Sequence, residues 1–249
     1  MTTQATTDPA SAGRQRLLAY TQWTEQLCRK EPGARSALRS GLRRGINDRS
    51  AQRMHRFVAR WIPESSLGSE TDQRAYYAVA AMIAAQPRSS GSAAADLLDE
   101  PEETDGGGTT GTEPTVEAAA GASAGPTGSQ RYGTSLGAAF AAAVTDSPGR
   151  DKAMRESGAE ARLNVLTRQS IDGLHRHLPS AVGYLRNLDV PVDWARLLSD
   201  LLAWPEHSGR ISRRWLQDYY RQRSADADNR ANRADAEEAV LDETDQPEA

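Results

Sequence analysis

A serine within the pattern G-x-S-x-G is the first feature of this sequence that could carry out chemistry. The motif is Gly133-Thr134-Ser135-Leu136-Gly137, and Asp146 and His175 follow it in the order usual for α/β-hydrolases. A nucleophilic serine of this kind needs a preceding strand, because a strained strand-to-helix turn holds its hydroxyl out. Here a glycine-rich stretch precedes the motif, and nothing in the sequence predicts a sheet. We therefore interpret Ser135 as a helix cap and not as a nucleophile.

Other motifs in the sequence do not support catalysis, a cofactor or a metal. The run Gly106–Gly111 satisfies the G-x-G-x-x-G pattern but lacks the strand and helix that a dinucleotide site requires. His175 and His177 are two residues apart, so on a helix they point to different sides and cannot share a metal ion. We therefore expect a protein that is not an enzyme and that binds no cofactor and no metal.

The basic residues are concentrated in one part of the chain. Of its 30 lysines and arginines, ten lie between Arg29 and Arg60, where only Glu31 and Asp48 oppose them. The acidic residues lie elsewhere: residues 89–130 carry eight and no basic residue, and the last 25 residues carry nine against two arginines. Because the guanidinium group is a rigid fork of donors that suits phosphate, this segregation predicts a polyanion-binding surface.

Helical spacing places these arginines on the outward faces of two consecutive predicted helices. The first series is Arg35, Arg39 and Arg43, and the second is Arg49, Arg53, Arg56 and Arg60. A charged face can simply be solvated, but acidic residues would then alternate with the basic ones. No recognisable recognition helix accompanies the arginines, which favours contact with the phosphate backbone over reading of bases.

The spacing of apolar residues predicts an all-α protein made of two small helical bundles joined by a long disordered acidic insertion. The expected division is a disordered tail at 1–12, a basic bundle at 13–88, the acidic insertion at 89–131, a second bundle at 132–224 and an acidic disordered tail at 225–249. A single cysteine excludes an internal disulfide, and no apolar stretch resembles a signal peptide or a membrane span. These features predict a cytoplasmic protein.

Capping residues and prolines mark the expected helix ends. Thr71 and Asp193 are expected N-caps, and the helix that follows the glycine-rich stretch is expected to be capped by Thr134 or Ser135. Pro179 is expected to kink or split the seventh predicted helix, which carries Ile171 to Leu185. Pro205 is expected to end the eighth, Trp194 to Trp204, before a ninth that begins at about Ile211.

Several segments, taken in order, resemble the CasB family, the small subunit of the type I-E CRISPR surveillance complex Cascade. The segments are Pro32–Gly41 (PGARSALRSG), Tyr76–Ala84 (YYAVAAMIA), Ser135–Gly137 (SLG), Glu160–Leu163 (EARL), Val192–Leu201 (VDWARLLSDL) with Trp204, and Trp215 with Tyr219-Tyr220. Taken in order, these segments cover nearly all of the chain that is expected to fold.

The resemblance implies a two-bundle helical protein without catalytic activity of its own. Family members sit as a pair in the complex, contact its backbone subunits and its large subunit, support the target strand and hold the displaced strand of the R-loop. The expected partners are therefore crRNA and target DNA through their phosphates, other Cascade subunits and a second copy of this chain. Because the guide supplies sequence recognition by pairing, the protein need only hold phosphates.

Ten arginines are the candidate nucleic-acid-binding residues. Arg35 and Arg39 match the arginines of the family motif, and the charged stripes add Arg43, Arg44, Arg53, Arg56 and Arg60, with Arg131, Arg162 and Arg213 on the second bundle. Arg162 could equally be a buried structural arginine. Two alternatives to a nucleic-acid-binding subunit stay open: a protein-interaction scaffold whose basic face docks an acidic partner, and, less favoured, a transcription regulator.

Overall fold

The computed structural model describes residues 9–87, 133–145 and 152–244 of the chain. Its helices are α1 Pro9–Lys30, α2 Pro32–Arg39, α3 Gln52–Val58, α4 Glu70–Ala84, α5 Leu136–Val144, α6 Glu156–Thr167, α7 Ile171–Asn187 and α8 Trp194–Thr244. Two short 3₁₀ turns, Ala59–Trp61 and Glu64–Ser66, separate α3 from α4. These ranges contain no strand, and the all-α prediction is confirmed. The predicted insertion at 89–131 lies outside the described residues.

Helix α8 is the element around which the others pack. It contacts α1 and α4 from the first half of the chain and α5, α6 and α7 from the second. The buried apolar side chains form one cluster that includes Tyr20 of α1, Met82 of α4, Phe140 of α5 and Leu178 of α7. Each side chain of this size contributes about 1.5–3 kcal/mol when it is fully buried. Residues of both predicted bundles thus contribute to one apolar core.

The serine of the G-x-S-x-G motif begins helix α5. Ser135 has an extended backbone, and its Oγ accepts a hydrogen bond from the Ala138 N–H at 3.3 Å. A Cβ atom at Gly137 would lie 1.8 Å from the carbonyl oxygen of Trp215, so only glycine allows α5 to approach the backbone of α8 this closely. The interpretation of Ser135 as a helix cap is confirmed, and the motif serves packing.

Asp193 caps α8, as predicted, and also joins it to two other elements. Its Oδ1 accepts a hydrogen bond from the Arg196 N–H at 2.8 Å, the N-cap geometry. Its Oδ2 accepts hydrogen bonds from the Thr134 N–H at 3.2 Å and from Arg14 Nη2 at 3.1 Å. One carboxylate therefore ties the start of α8 to α1 and to the residues that precede α5.

The two helices predicted on either side of Pro205 are the arms of one kinked helix. Pro205 has no N–H to donate within the helix, and His207 departs from helical geometry, with φ −131° and ψ 23°. Helical structure resumes immediately afterwards, so the predicted break between two helices is present, but it lies at His207, two residues after Pro205. The rings of Trp204 and Trp215 pack across the kink with their centroids 5.2 Å apart.

A buried carboxylate on the first arm of α8 holds the second arm. Asp200 is only 3% exposed, and its Oδ1 lies 2.5 Å from Arg214 Nη2 and 3.4 Å from Arg196 Nε. Its Oδ2 accepts a hydrogen bond from Trp215 Nε1 at 2.7 Å. Burial raises the pKa of the Asp200 carboxyl, and the two guanidinium groups counter part of that shift. These contacts hold the arms of the kinked helix together.

The C-terminal part of α8 differs from the expected disordered tail at 225–249. The helix continues to Thr244, and its residues from 227 to 236 are exposed. Arg230 Nε donates to the Asp226 carbonyl one turn earlier, at 3.2 Å. The expectation rested on low hydrophobicity, which reports a lack of burial. Alanine, arginine and glutamate nevertheless have high helix propensity, and so this segment extends the helix.

Three smaller predictions about helix ends also differ from the structure. Helix α1 begins at Pro9, within the tail expected at 1–12. The N-cap of α4 is Ser69 and not Thr71, since Ser69 Oγ accepts from the Asp72 N–H at 3.2 Å. Pro179 lies inside α7 without dividing it, because the turns on both sides keep their helical geometry.

Replacement of Asp200 with alanine is expected to lower the free energy of unfolding by about 3–5 kcal/mol, because it leaves two guanidinium groups and an indole N–H without their shared acceptor. Urea unfolding followed by tryptophan fluorescence measures this change. Asp228→Ala is the matched control, since Asp228 is exposed on the same helix. Equal stability of the two variants would contradict the role of Asp200.

A buried histidine on α7 predicts a dependence of stability on pH. His175 is 5% exposed, and neither ring nitrogen has a hydrogen-bond partner among the described residues. Burial, helped by the nearby Arg74 guanidinium, lowers its pKa from 6.5 to about 4. The unfolded chain therefore binds more protons than the folded chain between these pH values, and stability falls as the pH drops through that window.

We expect this loss to approach 1.4 kcal/mol per pH unit between pH 6.5 and about 4 for wild type, as measured by unfolding at a series of pH values. His175→Leu should flatten the profile in this window. His177→Gln, a change on the exposed side of the same helix, should leave it as in wild type. A His175→Leu profile that matches wild type would rule out this source of acid sensitivity.

Candidate nucleic-acid interface

Six of the predicted arginines are exposed at the end of α2, in the following turn, along α3 and in the 3₁₀ turn after it. They are Arg39, Arg43, Arg44, Arg53, Arg56 and Arg60. The turn between the two helices is held by Ser40, whose Oγ donates to the Ser50 carbonyl at 3.0 Å. Helices α2 and α3 contact each other, so these arginines lie on adjoining elements.

The charge of these six arginines is scarcely neutralised by the described part of the chain. Among the described residues, the salt bridge that these six arginines form joins Arg44 Nη1 to Asp48 Oδ2 at 3.7 Å. The Arg44 side chain is 61% exposed. An exposed pair of this kind is weak because water and salt screen it. The other salt bridges of the described structure use arginines on α1, α4 and α8, and their carboxylate partners range from the buried Asp200 to the exposed Asp172. These arginines are Arg14, Arg74, Arg196, Arg214 and Arg223.

Arg35 does not belong to an outward stripe. Its side chain is half-buried, its Nε donates to the Ala84 carbonyl at 3.0 Å, and its Nη2 donates to the Gln86 carbonyl. These carbonyls lie at the C-terminal end of α4, where helix carbonyls lack partners and a cation is favoured. Arg35 therefore joins α2 to α4, and the prediction of an exposed position for this residue is wrong.

Arg43 is exposed, but not as the third member of a helical series. Helix α2 ends at Arg39, and Arg43 has a left-handed backbone with φ 62°. In the turn that follows α2, Gly41 packs on Met54 of α3, whose Sδ lies 2.1 Å from where a Cβ at position 41 would be. The Arg43 guanidinium instead donates to Ser180 Oγ on α7, and so links the basic segment to the second half of the chain.

Aromatic rings support two of the exposed guanidinium groups. The Arg56 guanidinium carbon lies 4.4 Å from the centroid of the Phe57 ring, and that of Arg60 lies 4.2 Å from the Trp23 ring. Trp23 also packs against Trp61, with the ring centroids 5.5 Å apart. The sequence carried no signal that α1 would supply a cation–π partner for the 3₁₀ turn after α3, since the two are far apart in the chain.

The three candidates in the second half of the chain have different outcomes. Arg131 lies outside the described residues. Arg162 is exposed, so the alternative of a buried structural arginine is wrong; its guanidinium lies 4.4 Å from the Tyr184 ring and donates to the Gly158 carbonyl at 3.0 Å. Arg213 is exposed on α8. Arg162 therefore shares with Arg56 and Arg60 a guanidinium stacked on an aromatic ring.

The described structure offers no support for the hypothesis of a serine hydrolase. Ser135 is a buried cap and His175 is buried on α7, while Asp146 lies outside the described residues. Among residues 9–87, 133–145 and 152–244, no group of three or more histidine, cysteine, aspartate or glutamate side chains could hold a metal ion. Within the same ranges, none of the helices combines the length and hydropathy needed to cross a bilayer.

Comparison with known proteins adds a family to this geometry. The model of the family described as CRISPR-associated protein Cse2 (CRISPR_cse2) matches residues 34–220. A solved structure titled "CRISPR RNA-guided surveillance complex" contains a similar chain, with 31% identity and a TM-score of 0.62, over 86% of this chain and 96% of that one. A second, titled "CRISPR RNA-guided surveillance complex, pre-nicking", has 32% identity and a TM-score of 0.62 over 85% and 96%.

The search of curated proteins found no match. The family match spans α2 to the middle of α8, and therefore includes the six exposed arginines and most of the apolar core. The resemblance to CasB, the same small subunit that the Cse2 model describes, is confirmed. The chain belongs to the Cse2 family of CRISPR-associated proteins.

Proposed function

We propose that this chain is the non-catalytic small subunit of a type I-E Cascade complex, and that it binds nucleic acid through phosphate contacts. In this role it supports the crRNA and target DNA and stabilises the displaced strand of the R-loop in antiviral defence. It works in the cytoplasm, beside the backbone and large subunits of the complex and a second copy of itself. The chain belongs to the Cse2 family, and to this membership we add a role for named side chains.

The observation that supports this proposal best is the set of exposed arginines on α2, α3 and the turn between them. Guanidinium groups that are not held by carboxylates remain available to phosphate oxygens, with which they form paired hydrogen bonds. Arg56 and Arg60 lie against aromatic rings, so less side-chain entropy is lost when they contact a strand. A surface of this kind binds any sequence, which suits a complex whose guide RNA reads the target.

The fold explains why such a surface can be maintained. Arg35 secures α2 against the end of α4, while Arg39 on the same helix is exposed. The basic segment carries only Glu31 and Asp48 as acids, and repulsion among its arginines is relieved when an anion binds. Binding by this mechanism releases counterions from the nucleic acid, so its affinity must fall as salt rises.

Simultaneous replacement of Arg39, Arg43 and Arg53 with glutamine tests this mechanism. Fluorescence anisotropy with labelled single-stranded DNA over a series of salt concentrations should show weaker binding. The slope of log affinity against log salt should decrease by about 0.7 for each phosphate contact that is lost. Far-ultraviolet circular dichroism should show unchanged helicity, because all three side chains are exposed.

Two controls separate a specific surface from net charge and from folding. Arg221, Arg230 and Arg233, replaced together with glutamine, remove the same charge from exposed positions on α8 and should leave the slope near that of wild type. Arg35→Ala should lower the melting temperature and leave the slope unchanged, because Arg35 binds carbonyls of α4. Equal slopes for wild type and the first triple variant would refute phosphate contact and favour the scaffold that docks an acidic protein.

Purification from the native host through an affinity tag on this chain tests its place in the complex. We expect the tagged protein to carry other Cascade subunits and a short RNA of uniform length, visible on a denaturing gel. The Arg39/Arg43/Arg53 variant should still carry them if these arginines serve the DNA strands. A tagged wild-type chain that elutes without RNA and without other subunits would refute the assignment.

A further inference from the structure

An open groove lies between α6 and α7, outside the basic segment described above. Its volume is about 440 Å³, and Leu166 and Ala181 form part of its apolar lining. Two further lining residues, Val165 and Tyr184, are large apolar side chains that stay exposed, at 47% and 38%. In the described structure, these two exposed hydrophobic side chains thus share one concave surface. Such a surface commonly binds a ligand.

The polar residues around the groove are basic or neutral. Arg162 and His177 line it, together with Ser180, and no acidic residue is among the lining residues of the described structure. The Arg162 guanidinium stacks at 4.4 Å from the centroid of the Tyr184 ring. An apolar interior with an aromatic ring and a cationic edge is complementary to a nucleotide, which has a flat base and a negative phosphate.

The groove is also connected to the basic segment by a side chain. Arg43 reaches from the turn after α2 to Ser180, one of the residues that line the groove. The left-handed backbone of Arg43, at φ 62°, is uncommon for a residue other than glycine and persists only where surrounding contacts hold it. The exposed arginine in the turn after α2 therefore lies at the edge of this groove.

We propose that the groove between α6 and α7 holds one base of a single strand, stacked on Tyr184, with its phosphates bound by Arg43 and Arg162. The inference rests on the proposed function, since it assigns a base-stacking site to a strand that the exposed arginines hold. Stacking on a tyrosine accepts every base, so the site adds affinity and a fixed register for one nucleotide without reading sequence.

The test compares an oligothymidine with an abasic strand of equal length, which has the same phosphates and no bases. Affinity of the full-length chain for each is measured by fluorescence anisotropy at low salt. Wild type should bind the oligothymidine roughly tenfold more tightly, within the range for a base stacked on an aromatic ring. Tyr184→Leu keeps an apolar side chain without a ring, and should reduce this preference to near onefold with unchanged affinity for the abasic strand.

Two further variants make the outcome specific. Tyr184→Phe keeps the ring and should retain the preference of wild type. Tyr220→Leu changes a tyrosine that is 50% exposed on α8, and should also retain it. The Tyr184 side chain is exposed enough that its replacement leaves the core intact.

Each possible result supports or overturns a defined statement. Equal affinity of wild type for the two strands, with binding that is sensitive to salt, overturns the stacking site and leaves the proposed function standing. Failure of wild type to bind either strand at low salt overturns the proposed function itself. A Tyr184→Leu variant that keeps the preference but no longer assembles with the other subunits shows that the groove docks a protein, and overturns the inference.

Discussion

The buried carboxylate of Asp200 is the constraint on which the arrangement of this molecule depends. Helix α8 packs against five other helices, but a proline and a non-helical residue interrupt it near its middle. Asp200 lies before the interruption and binds Arg214 and Trp215 after it. The angle between the two arms is thereby held by charged hydrogen bonds in a dry environment, where they are strong. The angle between the arms in turn sets the position of any helix that packs against both of them.

Arginine performs two different tasks in this chain, and the surroundings of each side chain decide which. Where a carboxylate or an unpaired helix carbonyl lies within reach, arginine joins elements of the fold, as Arg214 does at Asp200 and Arg35 does at the end of α4. Where neighbours are other arginines or aromatic rings, as for Arg56 and Arg60, the group stays exposed. The second environment is confined largely to the segment from α2 to α3. The first is spread over the rest of the fold.

Contacts between the two halves of the chain set the relation between the basic segment and the groove at Tyr184. Arg43 donates to Ser180, Arg74 pairs with Asp172, and Arg186 Nε donates to Gln86 Oε1 at 2.8 Å. Each of these three contacts joins a residue of the first half of the chain to a residue of helix α7. A binding surface that extends across both halves thus rests on a shared core and on polar contacts at its edge.

Local patterns in the sequence were sufficient for the fold class, most helix positions and several caps. The caps at Ser135 and Asp193 need only a side-chain oxygen next to the first turn, so adjacent residues determine them. The concentration of arginine between Arg29 and Arg60 likewise follows from composition. The effect of a proline on its helix was harder to predict. Pro179 lies inside α7, and the break near Pro205 falls at His207.

Which arginines face solvent was decided by the tertiary structure. A helical wheel places Arg35, Arg39 and Arg43 on one side, yet Arg35 meets the carbonyls of α4, and Arg43 lies beyond the end of α2 with a left-handed backbone. The spacing of apolar residues and the distribution of charge in the sequence determined that the protein would be helical, with its arginines concentrated in one segment. The long-range contacts of each guanidinium determined its task, because an arginine binds whichever acceptor or ring the folded chain brings within a few ångströms.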